Sequence, residues 1–172
     1  MMARSYFIVA GAVLAASALM VFGLHTSPGR AAGSPRDPII HSVPIDAVLE
    51  EIAEGKKVVF VDAREHPEYA EGHIPGAIDL PLRRIDDATR DAIGKADLVV
   101  AYCIKDFRGY EVARRLQELG VPNTHIMHPY GLNGWKDRGL PVATTDPASE
   151  RAAQTRLQRC ARHREACKGA KS

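Results

Sequence analysis

Cys103 is the residue whose type and position point most directly to a particular reaction. It follows the apolar run 98–102 and begins the segment 103–109, after which the chain shows helical spacing of apolar residues. A cysteine between a buried strand and a helix lies where backbone N–H groups and the helix dipole converge, so ionised sulfur and bound anions are favoured. This predicts covalent, nucleophilic chemistry on a small anion. The alternative is an unreactive cysteine at a strand end, because free cysteine also packs as a small hydrophobic side chain.

The other two cysteines, Cys160 and Cys167, stand near the C-terminus. In an oxidising compartment they are expected to pair, which leaves Cys103 as the unpaired, reactive thiol. On one unbroken helix they would be about 10.5 Å apart, so a disulfide requires a bend. The alternatives, in falling order, are free thiols on a solvated helix and a soft-metal site shared with His163. No known metal signature fits the spacing, and neither a metal nor another cofactor is predicted.

Short strand-like segments alternate with segments of helical spacing along the chain. The predicted strands are 58–61, 77–80, 98–102 and 124–127, and the strongest helical pattern covers 109–119. This alternation predicts an α/β fold in which helices cover both faces of a parallel sheet. In such sheets ligands bind beyond the carboxyl ends of the strands, where Cys103 falls.

The N-terminal segment 1–33 has the layout of a targeting sequence. Arg4 precedes an uncharged run, 6–24, whose length is closer to a membrane-spanning helix than to a secretory signal. An inner-membrane signal anchor that leaves the domain facing the periplasm is therefore predicted. The alternative is a cleaved signal peptide and secretion to the periplasm. A linker is predicted at 34–44, one domain at 45–145, and a basic, helical tail at 146–172.

The formal net charge of the 172-residue chain is +2, and the tail carries the excess of basic residues. The near-neutral body offers no basic surface for nucleic acid, so no nucleic-acid partner is predicted. The basic tail is interpreted as a solvated helix face rather than a contact with anionic lipid.

Three segments carry motifs of a known family, in register and in order. The first is Phe-Val-Asp-Ala-Arg-Glu-His-Pro-Glu-Tyr at 60–69, with Gly-His-Ile-Pro-Gly-Ala at 72–77. The second is the strand and loop 99–108, and the third is Gly-Leu-Asn-Gly-Trp at 131–135 with Gly-Leu-Pro-Val at 139–142. Over residues 39–143 the chain resembles the rhodanese family of sulfurtransferases.

The resemblance implies a single rhodanese-like domain with a central parallel sheet of about five short strands. It also implies an enzyme, in which Cys103 takes a sulfane sulfur from thiosulfate or a persulfide donor and passes it to cyanide, a thiol or a protein thiol. The implied active-site loop comprises Ile104, Lys105, Asp106, Phe107, Arg108 and Gly109. Asp62 and Arg64 are implied to be a supporting pair near the site.

Loop length and loop composition modify this interpretation. Related phosphatases have five residues between cysteine and arginine, whereas four separate Cys103 from Arg108, which disfavours phosphate chemistry. Asp106 stands where the family often has glycine, and its carboxylate would oppose an anionic donor. The segment 128–131 also replaces the usual Gly-Gly. The alternative to an enzyme is a non-enzymatic sulfane-sulfur carrier or redox-interaction module with little turnover on small donors.

Overall fold

A computed structural model describes residues 38–167. One parallel sheet has the strand order β1-β5-β4-β2-β3, with β1 at Ser42–Pro44, β2 at Val58–Asp62, β3 at Ile78–Asp79, β4 at Leu98–Tyr102 and β5 at Thr124–His128. The predicted α/β class with a central five-stranded parallel sheet is confirmed. The first strand lies in the segment predicted as a linker, because its residues pair with Ile126, Met127 and His128 of β5.

Within the described residues, helices cover both faces of the sheet. They are α1 Ile45–Ala53, α2 His66–Glu71, α3 Asp87–Ile93, α4 Phe107–Glu118, α5 Gly131–Asp137 and α6 Pro147–Arg162, with 3-10 turns at Leu82–Arg84 and Arg164–Cys167. Successive strand residues point to opposite faces. Val100 and Tyr102 therefore pack in the core that contains α1, α5 and α6, whereas Val99, Ala101 and Cys103 pack in the core that contains α3 and α4.

The C-terminal segment differs from the predicted solvated tail. Helix α6 packs against α1 and buries one stripe of its surface, formed by Ala153, Leu157, Cys160 and Ala161. The helix ends at Arg162, and the 3-10 turn that follows brings the Cα atoms of Cys160 and Cys167 to 5.3 Å, where the two residues form a disulfide. The hydrophobic core therefore extends beyond the predicted domain boundary at residue 145, because apolar residues of α6 complete one face of the sheet.

The predicted leader, 1–33, lies outside the described residues, as do residues 34–37 of the predicted linker. Between residues 38 and 167, no helix combines the length and apolar content needed to cross a bilayer.

Candidate functional site

Cys103 follows the last residue of β4, at the carboxyl edge of the sheet. It is a free thiol, and 4% of its surface is exposed. Its neighbours in the core are the apolar side chains of α4, including Val112 and Ala113. The sulfur therefore lies at the base of the loop rather than on the protein surface.

Helix α4 begins at Phe107, two residues before the start expected from the apolar spacing. Its first turn closes because the carbonyl of Asp106 accepts a hydrogen bond of 2.9 Å from the N–H of Tyr110. Phe107, Arg108 and Gly109, which were predicted as loop residues, are thus the first residues of the helix. The loop proper is Ile104, Lys105 and Asp106, which shortens the distance from Cys103 to the positive end of the α4 dipole.

The backbone of the loop is oriented by α5. The carbonyl oxygens of Cys103 and Ile104 accept hydrogen bonds from the N–H groups of Leu132 and Asn133, at 2.8 and 3.4 Å. In contrast, no backbone or side-chain oxygen in residues 38–167 accepts a hydrogen bond from the N–H groups of residues 104–109. A run of backbone N–H groups without intramolecular partners forms a concave site for an anion.

Gly131, the first residue of α5, allows this close contact. Its φ angle is +48°, and a β-carbon at this position would overlap the carbonyl oxygens of Cys103 and Lys105. Residues 128–131 differ from the family's usual Gly-Gly, but the last of them, Gly131, is still a glycine and touches the loop.

Arg108 is held by Glu68 on α2. Its two terminal nitrogens donate hydrogen bonds of 2.6 and 2.8 Å to the two carboxylate oxygens of Glu68. These bonds, with a backbone hydrogen bond from Glu65, lower the pKa of Glu68 to about 2. The pKa of Arg108 is raised by Glu68 and, to a smaller extent, by the sulfur of Cys103. Arg108 therefore ties α4 to α2 and keeps a positive charge near Cys103.

Asp62 and Arg64 form a buried ion pair at the end of β2, and Asp62 is fully buried. The guanidinium donates hydrogen bonds of 2.6 Å both to the Asp62 carboxylate and to the carbonyl of Gly72. The hydroxyl of Tyr102, the last residue of β4, accepts a hydrogen bond of 3.1 Å from the N–H of Ile74. These contacts fix the 72–77 turn against the strand ends beside Cys103.

Most of the sequence of this chain matches a known domain family. Residues 46–138, more than half of the chain, match the rhodanese-like domain. This chain belongs to the rhodanese-like family. The structure of the BH2092 protein from Bacillus halodurans is similar to it, with a TM-score of 0.54 and 25% identity over 61% of this chain and 77% of that one.

Three relatives show how far the sequence similarity extends. An HTH-type transcriptional regulator of Mycobacterium tuberculosis is 34% identical over 64% of this chain and 46% of its own length. The thiosulfate:glutathione sulfurtransferase of Saccharomyces cerevisiae is 33% identical over 48% of this chain and 67% of its own length. The thiosulfate sulfurtransferase PspE of Escherichia coli is 30% identical over 48% and 75%. This chain spans about half the length of two of the curated relatives that it matches, the regulator included.

Helix α6 lies beyond the matched range and is attached to the rhodanese-like domain through His73. The His73 ring stacks on Tyr69 at 3.7 Å, and its Nε2 atom lies 3.0 Å from the carboxylate of Glu150 on α6. The same carboxylate accepts a hydrogen bond of 2.6 Å from the N–H of Gly76. His73, a residue of the 72–77 motif, thus holds α6 against the domain.

Two acidic residues of the domain were not singled out by sequence reasoning. Glu68 could have been recognised from its local sequence, because Glu65 and Glu68 form a capping box at the start of α2. Glu150 had no such local pattern, because its partner His73 lies 77 positions away in the chain. In residues 38–167, no group of three or more histidine, cysteine or acidic side chains is placed to hold a metal ion.

Replacing Glu68 with glutamine is expected to destabilise the protein in a pH-dependent way. The pKa of Glu68 in the folded protein lies below its ordinary value of 4.5, so the Arg108 pair stabilises the folded state above that value. This stabilisation is lost as the pH falls towards about 2. Because both side chains are partly exposed, we expect a loss of about 0.5–1 kcal/mol at neutral pH. Urea unfolding of both proteins across the pH range measures it.

The control for this change is Glu54→Gln. Glu54 also pairs with a cation, Lys56, at 3.1 Å, but its side chain is mostly exposed. We expect the free energy of unfolding of this variant to stay within about 0.5 kcal/mol of wild type at every pH. A pH-independent loss in Glu68→Gln would contradict the assignment of the effect to the ion pair.

Asp62→Ala is expected to lower the free energy of unfolding by about 3–5 kcal/mol, because it leaves the buried charge of Arg64 without its partner. Chemical denaturation measures the change. Asp91→Ala is the matched control, since Asp91 also binds an arginine, Arg90, but is exposed. Its expected loss is below about 1 kcal/mol. Equal losses in the two variants would show that burial of the Asp62 pair has no special role.

Proposed function

We propose that this protein is a sulfurtransferase that moves a sulfane sulfur from thiosulfate or a persulfide donor to a thiophilic acceptor, through a persulfide on Cys103. The observation that carries the proposal is the loop at Cys103, whose carbonyls are bound by α5 and whose N–H groups from 104 to 109 have no oxygen partner within residues 38–167. Membership of the rhodanese-like family and similarity to two proteins named as thiosulfate-dependent sulfurtransferases support the same class of reaction.

The first half of the reaction loads the cysteine. The ionised sulfur of Cys103 attacks the outer sulfur of thiosulfate, and the sulfur–sulfur bond of thiosulfate breaks. The electron pair of that bond leaves with sulfite, and Cys103 becomes a persulfide anion. The N–H groups of the loop and the first turn of α4 would stabilise this negative charge.

The second half regenerates the cysteine. Cyanide, or the thiolate of an acceptor, attacks the outer sulfur of the persulfide. The bond between the two sulfurs breaks, and its electron pair returns to the sulfur of Cys103. Arg108, fixed by Glu68, supplies a positive charge near both anions. Lys105, which is exposed, would attract a small anion from solution.

Mass spectrometry after thiosulfate treatment tests the proposal. We expect the peptide that contains Cys103 to gain one sulfur atom, and cyanide to remove that atom as thiocyanate. An unmodified Cys103 together with no thiocyanate would refute the proposed function. The mass of the intact protein from cells also reports whether the predicted leader, 1–33, is retained.

Asp106 favours a second candidate, a sulfane-sulfur carrier with little turnover on small donors. One of its carboxylate oxygens is buried and has no hydrogen-bond partner among residues 38–167. A carboxylate without a donor in the loop would repel thiosulfate and slow loading. A carrier would load Cys103 once and release thiocyanate far more slowly than it loads, whereas an enzyme turns over repeatedly. The tail cysteines would not engage a partner thiol in this structure, because they form a disulfide and are buried.

The proposed location is outside the cytoplasm. The domain would be anchored in the inner membrane by segment 1–33 and face the periplasm, or be secreted to the periplasm after cleavage. The uncharged run 6–24 supports export. The disulfide between Cys160 and Cys167 is consistent with an oxidising compartment.

A further inference from the structure

Most of the exposed large apolar side chains lie on α4, next to its start, or on the turn that packs against it. Among the described residues, large hydrophobic side chains are exposed at Ile39 (76%), Leu82 (45%), Phe107 (77%), Tyr110 (39%) and Tyr130 (60%). Phe107 and Tyr110 lie on α4, which begins next to the loop, and Tyr130 precedes Gly131, which touches the loop backbone. Leu82 lies in the 3-10 turn that packs against α4. We call these four residues, Leu82, Phe107, Tyr110 and Tyr130, the apolar rim.

The two sides of the rim are fixed by separate contacts. Phe107 and Tyr110 are one helical turn apart in the first turn of α4, so they share a face, and the 3-10 turn that contains Leu82 packs against α4. On the other side, Tyr130 directly precedes Gly131, which touches the backbone of Cys103. Phe107 and Tyr130 therefore adjoin the loop from the α4 side and the α5 side, and Tyr110 and Leu82 extend the rim along α4.

The rim suits an acceptor larger than cyanide. Cyanide is too small to use several exposed side chains at once, whereas exposed aromatic and aliphatic groups grouped near a site mark contacts with another molecule. Because Cys103 is almost buried, an acceptor thiol must come close to the loop and to the residues that adjoin it, such as Phe107 and Tyr130. Tyr and Phe are also enriched where protein surfaces meet.

We infer that the rim is the docking surface for a protein or peptide acceptor whose cysteine is flanked by apolar side chains. This inference rests on the proposed function, because it names the acceptor of the same persulfide. The peptide segment of the acceptor lies across the loop, and the apolar side chains that flank its cysteine pack on the rim. Its thiolate then attacks the outer sulfur of the Cys103 persulfide. The acceptor leaves as a persulfide, and Cys103 returns to its ionised form.

The test compares two acetylated peptide thiols as acceptors for sulfur-loaded protein. One has the sequence Lys-Leu-Phe-Cys-Leu-Phe-Lys and the other Lys-Ser-Gln-Cys-Ser-Gln-Lys. We expect the second-order rate constant for sulfur transfer to be about tenfold higher for the apolar peptide. In the double variant Leu82→Ser and Tyr130→Ser this ratio should fall to about two or less. The single variant Tyr110→Ser should lower the ratio by a smaller factor, and it provides a second test if the double variant does not load.

Ile39→Ser is the matched control. It also removes an exposed aliphatic side chain, but residue 39 precedes β1 and therefore lies towards the edge of the parallel sheet opposite to Cys103. We expect its ratio to equal that of wild type. The ratio of the rate constants for the two peptides is compared because differences in sulfur loading between variants cancel in it.

Several outcomes would overturn the inference. A ratio near one in wild type would show that the rim does not select the acceptor, and an unchanged ratio in the double variant would place selection elsewhere. A wild-type dimer in sedimentation that the double variant loses would assign the rim to a second copy of the chain. If thiosulfate loads no sulfur on Cys103 of wild type, the proposed function fails first, and this inference fails with it.

Discussion

Cys103→Ser is expected to abolish sulfur loading and to lower thiocyanate formation by at least about a thousandfold. Serine has nearly the same size, but its hydroxyl does not ionise near neutral pH and does not form a persulfide. Cys103 is also the only free cysteine of the chain, since the other two form the disulfide. Mass spectrometry and a thiocyanate assay measure the two effects.

The fold of this variant provides the internal control. Cys103 packs as a small side chain in the core of α3 and α4, so its replacement by serine should change the free energy of unfolding by only about 1–2 kcal/mol. A variant that remains folded and inactive assigns the chemistry to the sulfur. Thiocyanate formation at the wild-type rate would exclude Cys103 as the nucleophile.

Gly131→Ala is expected to disrupt the loop without touching the nucleophile. The added β-carbon would overlap the carbonyl oxygens of Cys103 and Lys105, and the φ angle of +48° is unfavourable for alanine. The loop carbonyls must then move away from α5, which changes the orientation of the N–H groups in the loop. We expect sulfur loading to slow by about a hundredfold and the free energy of unfolding to fall by about 2–5 kcal/mol.

Gly120→Ala separates the effect of contact from that of backbone strain. Gly120 also has a positive φ angle, +88°, but a β-carbon there would have no neighbour within 4 Å. This variant should lose about 1–2 kcal/mol of stability and load sulfur at the wild-type rate. If the two variants load equally fast, close packing of α5 on the loop is not required for the reaction.

The sheet and the position of the cysteine could be predicted because their signals are local. A short apolar run bounded by polar residues predicts a buried parallel strand, and the end of the run places Cys103 at the carboxyl edge of the sheet. The start of α4 was harder to place. Its first turn carries exposed Phe107 and Arg108, so the apolar spacing begins only later in the helix.

Contacts between distant elements could not be predicted in the same way. Arg108 was implied only to belong to the active-site loop, but its side chain pairs with Glu68, forty positions away. The stripe of α6 that enters the core includes Ala153 and Ala161, whose small side chains give a weak apolar pattern within a basic segment. A solvated tail was therefore the expectation, and only packing against α1 shows the helix to be part of the domain.

The amino-acid sequence by itself determined the fold class, the family motifs and the single cysteine placed for nucleophilic chemistry, because residue spacing and strand ends are properties of neighbouring positions. The tertiary structure alone decided that α5 orients the loop, that Glu68 holds Arg108, and that Phe107 and Tyr130 are exposed next to the loop. These features depend on which distant side chains meet when the elements pack, and the spacing of residues along the chain does not specify those contacts.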